Sequence, residues 1–267
     1  MIDLTEKTED KIYYYSDPVN DDFAGTNIKT IRIDKDFPYE HKSVLWKAAA
    51  GFIYFVIAIP VIWIISKIFL GLKIENRKTI RLLRNKGFFI FGNHTRKADA
   101  FVSPMVTFPR KSYVIAGADA VSLPGLKNIV QMLGVIPIPT ELNGMRHFYD
   151  AVSKTCEDGY GITIYPEAHI WPYYTGIRPF PDTSFRYPVK ENVPAVAMVV
   201  TYRRRTGLFR FIKQPGMTVT LSNPVYPDLK LSAKEAQKKL RDSIFQEMTK
   251  ISAGRNQVEY IRYEQAK

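Results

Sequence analysis

From Ala48 to Ser66 the chain carries no charged residue: AAAGFIYFVIAIPVIWIIS, 19 residues in all. As one helix the run is about 28 Å long at 1.5 Å per residue. A bilayer's hydrocarbon core is about 30 Å thick, so the run is just long enough to cross it. A stretch with no polar face is uncommon inside a domain of this size. That sets a membrane-associated helix against the blander alternative of a buried core helix. Pro60 removes a backbone donor within the run and favours a kink or a break. Two shapes follow: one kinked spanning helix, or two short helices dipping into one leaflet. Lys47, Lys67 and Lys73 flank the run and reach toward headgroups, with Tyr54 and Trp63 as expected interfacial aromatics. Lys67, Lys73, Arg77, Lys78, Arg81, Arg84 and Lys86 crowd its C-terminal side. By the positive-inside rule that side is cytoplasmic, although basic residues before the run fit a hairpin with both ends on one face equally well. The expected location is the cell membrane, with the domain that follows on its cytoplasmic side.

Residues 1–43 form a polar arm. Its opening, MIDLTEKTEDKIYYYSD, has no apolar core and is not a cleaved signal peptide. Lys29–Ile33 is expected as a short strand within the arm. A membrane-associated segment, 44–72, and one domain, 73–267, complete the division. From Gly87 onward the pattern is α/β. Short apolar runs at 88–92, 113–117, 135–138, 161–166, 193–202 and 217–221 have the length of buried strands. The prolines around 137 suit an edge or a strand end. Helices are expected between them, over 99–106 and 145–155. Near the C-terminus, Ser232 and Glu235 make a capping box, and Leu240, Ile244, Met248 and Ile251 form an apolar stripe at helical spacing.

The net charge of +12 suits nucleic acid, an anionic membrane face, or acidic carriers and phosphorylated substrates. No aromatic residues are interleaved with the basic ones in a nucleic-acid-binding pattern, so nucleic acid is not an expected partner. Arg203, Arg204, Arg205, Arg210 and Lys213 sit in an expected hairpin. They read as a solvated basic turn, as headgroup attraction, or as carrier docking. The single cysteine, Cys156, rules out an intrachain disulfide and is expected to be buried and inert. No ligand cluster points to a metal. A serine hydrolase is disfavoured because no Gly-x-Ser-x-Gly elbow is present.

The informative text is Phe91-Gly92-Asn93-His94-Thr95-Arg96-Lys97-Ala98-Asp99, between an expected strand and an expected helix. Loops at strand ends are where α/β enzymes place reacting groups. A carboxylate five residues after an imidazole can accept its Nδ1 proton across a turn and leave Nε2 as a base. Alone, the spacing is common by chance. A second motif, Tyr165-Pro166-Glu167-Ala168-His169, follows 73 residues after His94.

Together the two resemble the glycerolipid acyltransferase superfamily, of the 1-acylglycerol-3-phosphate acyltransferase type. That family carries an Asn-His-x-x-x-x-Asp block, then a Phe-Pro-Glu-Gly-Thr block. A Gly-x-x-x-Ile-Asp-Arg block lies between them and a Val-Pro-x-x-Pro block follows. Gly134-Val135-Ile136-Pro137-Ile138-Pro139-Thr140 and Val193-Pro194-Ala195-Val196-Ala197 stand in the last two places. The resemblance covers residues 75–225. It implies a mixed central β-sheet flanked by helices, behind a membrane-associated helical segment. His94 matches the catalytic base and Asp99 its orienting acid. Asn93, Glu167, Ala168 and His169 fall in the substrate-binding blocks, and backbone N–H groups are expected to hold the thioester oxyanion. The donor implied is acyl-CoA or acyl carrier protein, as co-substrate rather than cofactor. The acceptor implied is a lysophospholipid hydroxyl.

This sequence departs from the family in the acceptor-binding blocks. Thr140 stands where the family has a phosphate-associated arginine, and Ala168, His169 and Ile170 replace Gly-Thr-Arg. Arg146 and Arg178 are the candidate replacements for the lost cations. An acceptor without phosphate, and a lipid-binding module without catalysis, are the alternatives.

Overall fold

Phe88, Phe89, Ile90 and Phe91 are all buried, alternating between two separate hydrophobic clusters. A run apolar on both faces belongs in the middle of a parallel sheet with layers on either side, and it lies there. The computed structural model of the chain describes residues 11–25, 28–83 and 85–266. Residues 1–10, and Arg84 among the basic residues after the apolar run, lie outside that set.

Nine strands are present among the described residues: β1 (Ile12–Tyr15), β2 (Lys73–Glu75), β3 (Phe88–Gly92), β4 (Ser112–Ala116), β5 (Val135–Pro137), β6 (Gly161–Ile164), β7 (Ala195–Arg203), β8 (Gly216–Leu221) and β9 (Arg262–Gln265). The helices are α1 (Val44–Ile68), α2 (Lys78–Leu82), α3 (Val102–Thr107), α4 (Lys127–Met132), α5 (Met145–Glu157), α6 (Arg186–Lys190) and α7 (Ala233–Arg255). The main sheet runs β2-β8-β7-β3-β6-β4-β5. Only the β7–β8 pair in it is antiparallel, so the sheet is mixed. β5 is one of the two edge strands, a place that suits Pro137. α1 and α3 cover one face, with Tyr54, Ile62, Val102 and Val106 against Ile90 and Met198. α5 and α7 cover the other, with Phe148, Val152, Leu240, Ile244 and Met248 against Phe89 and Ile162. Ser232 caps α7 with Glu235 in return. Cys156 is buried, and burial pushes its thiol up to about 12.

Lys29–Ile33 forms no strand. Its side chains act instead: Ile33 and Phe37 pack on Val121, and Thr140 Oγ1 accepts from Ile33 N at 2.9 Å. β1 pairs with β9 in a small parallel sheet that joins the two ends of the chain. Neither strand was legible, because short partners far apart in sequence carry no local signal.

α1 is one continuous helix of 25 residues, and the only one among the described residues long and apolar enough to cross a membrane. A π-helical turn over Ile53–Ala58 accommodates Pro60, with Ile59 N donating to Tyr54 O five residues back. No break into two short helices occurs. Ala50, Tyr54, Ile62 and Ser66, spaced by four or eight residues, share one face toward the domain, while Phe52, Val56, Val61 and Trp63 are exposed. α1 is therefore not a buried core helix. Tyr54 is not an interfacial aromatic either. It is 1% exposed, and its hydroxyl accepts from Ser112 N at 2.9 Å. Tyr54→Phe removes this acceptor from a buried amide and should cost about 1–3 kcal/mol in chemical unfolding. An unchanged midpoint would mean that α1 is not docked on β4.

Candidate active site

β3 and β7 are neighbours whose chains leave toward opposite edges, β3 on to β4 and β7 on to β8. A crevice opens at the carboxyl ends of two such strands. Asn93 stands at its floor. Backbone pairing between the two strands ends at Gly92 and Met198. Beyond it, Asn93 Nδ2 donates to Val200 O (3.1 Å) and Asn93 Oδ1 accepts from Val200 N (2.8 Å). This buried side chain continues the ladder where β3 departs, so both its polar atoms face the sheet.

His94 comes next and turns outward. Its Nδ1 lies 3.1 Å from Asp99 Oδ2, the carboxylate being fully buried and the imidazole side chain 19% exposed. A carboxylate in this position only accepts, so Nδ1 carries the proton and Nε2 presents a lone pair. No described residue bonds to Nε2. Asp99 Oδ2 also accepts from Thr95 N (2.7 Å) and Arg96 N (2.9 Å). The local cause is a 3-10 turn over Lys97–Phe101, which puts Asp99 three residues after the N-cap Arg96 and aims it at the free amides. The imidazole stacks on Tyr165, with centroids 4.5 Å apart, and the Tyr165 hydroxyl donates to Asp99 O at 2.8 Å. Gly92 makes room for that ring: a Cβ there would come within 2.8 Å of Tyr165 Cε1.

Glu167 ties the second motif to the first. Its Oε2 accepts from His94 N (3.2 Å) and its Oε1 from Arg178 N (3.1 Å). Arg178 Nη2 reaches Glu167 O, Glu167 Oε2 and His169 O, with its guanidinium over Trp171. Burial pushes the Glu167 carboxyl up to about 7; the Arg178 guanidinium and the two backbone N–H donors act in the opposite direction. Ala168 holds φ 62°, a left-handed value that costs a residue with a Cβ about 1 kcal/mol. The family's glycine is free of that cost, and the turn persists without it.

Of the expected site residues, the structure brings together His94, Asp99, Glu167 and Arg178. Arg178 is 1% exposed and committed to Glu167 rather than to an open cleft. His169 lies at the rim, its Nδ1 3.4 Å from Asp22 Oδ2. Arg146 is exposed on α5, which follows β5. β6 and β4 lie between β5 and β3, about 14 Å at normal strand spacing. The amides of His94, Thr95 and Arg96 are all taken by Glu167 and Asp99, so these three are not the oxyanion donors.

A sequence model of the acyltransferase family matches residues 72–220, more than half of the chain. The chain belongs to the acyltransferase family. Among solved structures, it is similar to the 1-acyl-sn-glycerophosphate (LPA) acyltransferase PlsC from Thermotoga maritima. The TM-score is 0.52 at 16% identity, covering 79% of this chain and 95% of that one. At that identity the likeness is one of fold. No curated protein matches the chain.

The family span of this acyltransferase runs from the end of α1 into β8 and so contains both motifs. Outside it, the arms at both ends of the chain reach the site from behind. Trp171 Nε1 donates to Asp21 O (2.7 Å), the Tyr263 hydroxyl donates to Pro172 O (2.8 Å), and Phe23 N bonds Ile170 O. The braced loop in turn donates from Trp171 N to His94 O and from Tyr173 N to Thr95 O. Sequence reading missed Tyr165, Thr95, Arg96 and Tyr202 as site residues. Arg96 lies over Tyr173 (4.7 Å), and the Tyr202 hydroxyl donates to Thr95 Oγ1 (2.7 Å). Thr95 and Arg96 lie within the first motif and Tyr165 opens the second, whereas Tyr202 had no local signal.

Because Glu167 binds its proton more tightly in the folded chain than at its ordinary value of 4.5, its contribution is full below that pH. The contribution is lost as pH rises through about 7, amounting to about 3 kcal/mol. Denaturant unfolding at pH 5 and pH 8 should show this slope, and Glu167→Gln should abolish it.

Proposed function

We propose that this acyltransferase moves a fatty acyl group from a thioester, acyl-CoA or acyl carrier protein, to the hydroxyl of a lysophospholipid. The observation that carries the proposal is the partly exposed His94, held by a sealed Asp99 just past the carboxyl end of β3. Nε2 takes the proton as the acceptor oxygen attacks the thioester carbonyl. The carbon–sulfur bond then breaks, and the departing thiolate takes that proton back from the imidazolium. Asp99 stabilises the charged ring between the two steps. The name of the PlsC neighbour supports a 1-acylglycerol-3-phosphate-like acceptor.

Two residues after the base, Arg96 is half-buried and lies over the Tyr173 ring. It is better placed for an acceptor phosphate than Arg146 or Arg178. A second reading keeps the chemistry and removes the phosphate. It is favoured by Thr140, which holds the N-terminal arm through Ile33, and by Arg178, which is committed to Glu167. The free Nε2 speaks against a module that binds lipid without catalysis.

α1 supports attachment to a membrane by its exposed apolar side, with the domain lying along its other side. The basic residues after it support a cytoplasmic orientation.

With acyl-CoA or acyl carrier protein and a panel of lysolipids, mass spectrometry should detect acylated product. His94→Ala should lower the rate by about 10²–10⁴-fold or more. Asp99→Asn should do likewise without lowering acceptor affinity. Normal turnover by His94→Ala would end this mechanism. Arg96→Gln should raise KM for an anionic lysolipid roughly tenfold and leave a neutral one unchanged. An unchanged KM for both would support the phosphate-free acceptor.

A further inference from the structure

The connection from β7 to β8 ends in a tip that the fold does not cover. Leu208 is 80% exposed and Phe211 75% exposed. Apolar residues so open on a soluble surface call for a partner. Around them stand Arg203, Arg204, Arg205, Arg210 and Lys213, and no acidic residue occurs between Glu191 and Asp228. Large apolar side chains beside the exposed cations Arg210 and Lys213 are complementary to an anionic leaflet: apolar below, negative at the headgroups.

The tip is fixed to the membrane-associated helix. Arg205 Nη1 donates to Ile68 O at 3.0 Å, Arg205 Nη2 bonds Phe69 O, and Arg203 Nη2 bonds Gly71 O at 2.5 Å. Two guanidinium groups thus take carbonyls that the end of α1 leaves without partners. Gly71 turns there with φ +55°, and a Cβ on it would meet Arg205 Nη1 at 2.9 Å. Phe69 at the same end is 60% exposed. The tip and the end of α1 therefore present one continuous surface.

The same surface adjoins the site. Tyr202, the residue before Arg203, donates to Thr95 Oγ1, and Arg96 Nη1 approaches Met217 of β8 at 4.0 Å.

We propose that the β7–β8 tip is a second membrane contact. It inserts Leu208 and Phe211 into the interface of an anionic leaflet and holds the mouth of the His94 crevice at headgroup level. An acidic carrier protein would match the charges but gives no reason for two large apolar side chains at the apex. The proposal stands on exposure, charge and the clasp on α1, and is independent of which acyl acceptor is used.

The test uses the full chain, with an environment-sensitive fluorophore on a thiol introduced by Leu208→Cys; the native Cys156 is buried. The protein is reconstituted in vesicles of phosphatidylcholine, with or without phosphatidylglycerol. The expected result is a shift to shorter wavelength and quenching by brominated acyl chains, stronger with phosphatidylglycerol. A probe introduced by Lys238→Cys, exposed on α7 across the sheet from α1, should not respond. Arg210→Gln and Lys213→Gln together should weaken insertion about fivefold per charge removed, with an unchanged unfolding midpoint. A probe at 208 that stays in water with both vesicles overturns the proposal. So does one that responds only to added acyl carrier protein. A response equal in both lipids overturns its anionic part.

Discussion

Three donors converge on one oxygen of Asp99, in a carboxylate sealed from water. A bare buried carboxylate costs several kcal/mol, so the fold tolerates this one only while those donors stay in place. That requirement works in both directions. The loop from His94 to Arg96 must keep its amides aimed at Asp99, and the imidazole must keep Nδ1 toward it. The orientation of the imidazole is therefore a consequence of satisfying a buried carboxylate, and it needs no rigid loop of its own. The 3-10 turn that leads into α3 supplies the geometry, and Tyr165 closes it by stacking on the ring while bonding Asp99 O.

Glu167 plays a comparable part for the second motif. It holds the backbone of His94 and pairs with Arg178 out of solvent. The first motif's side-chain pair and the second motif's carboxylate thus form one network across β3 and β6. An aromatic layer of Phe23, Trp171 and Tyr263 seals it from behind. The polar arm and the last strand, remote from the motifs in sequence, serve the site by bracing the loop that carries Arg178. The acyltransferase core is thereby closed by segments outside the family span.

The core strands were legible because β3 is apolar on both faces and β6 and β7 are short runs with no charged residue before Arg203, a pattern that leaves little choice. The capping box and the stripe on α7 were legible for the same local reason, since Ser232 and Glu235 are three residues apart. β1 and β9 were not, because they pair with each other across most of the chain. Tyr54 was misjudged for a related cause. Within an apolar helix an aromatic that meets lipid and one that meets Ser112 N look alike, and only docking on β4 separates them. Arg178 likewise has the same text whether it waits for a phosphate or neutralises Glu167.

The sequence by itself determined the α/β class, the long apolar helix, and the two motifs, the first with a histidine and an aspartate five residues apart, because each depends on neighbours within a turn or a strand. Tertiary structure decided which cations are occupied, that Asn93 serves the sheet, and that Arg96, Tyr165 and Tyr202 share the site. It also decided that α1 lies along the domain with its end gripped by Arg203 and Arg205. Those outcomes turn on hydrogen bonds and burial between residues many tens of positions apart, where the cost of an unpaired buried group, rather than local preference, selects the partner.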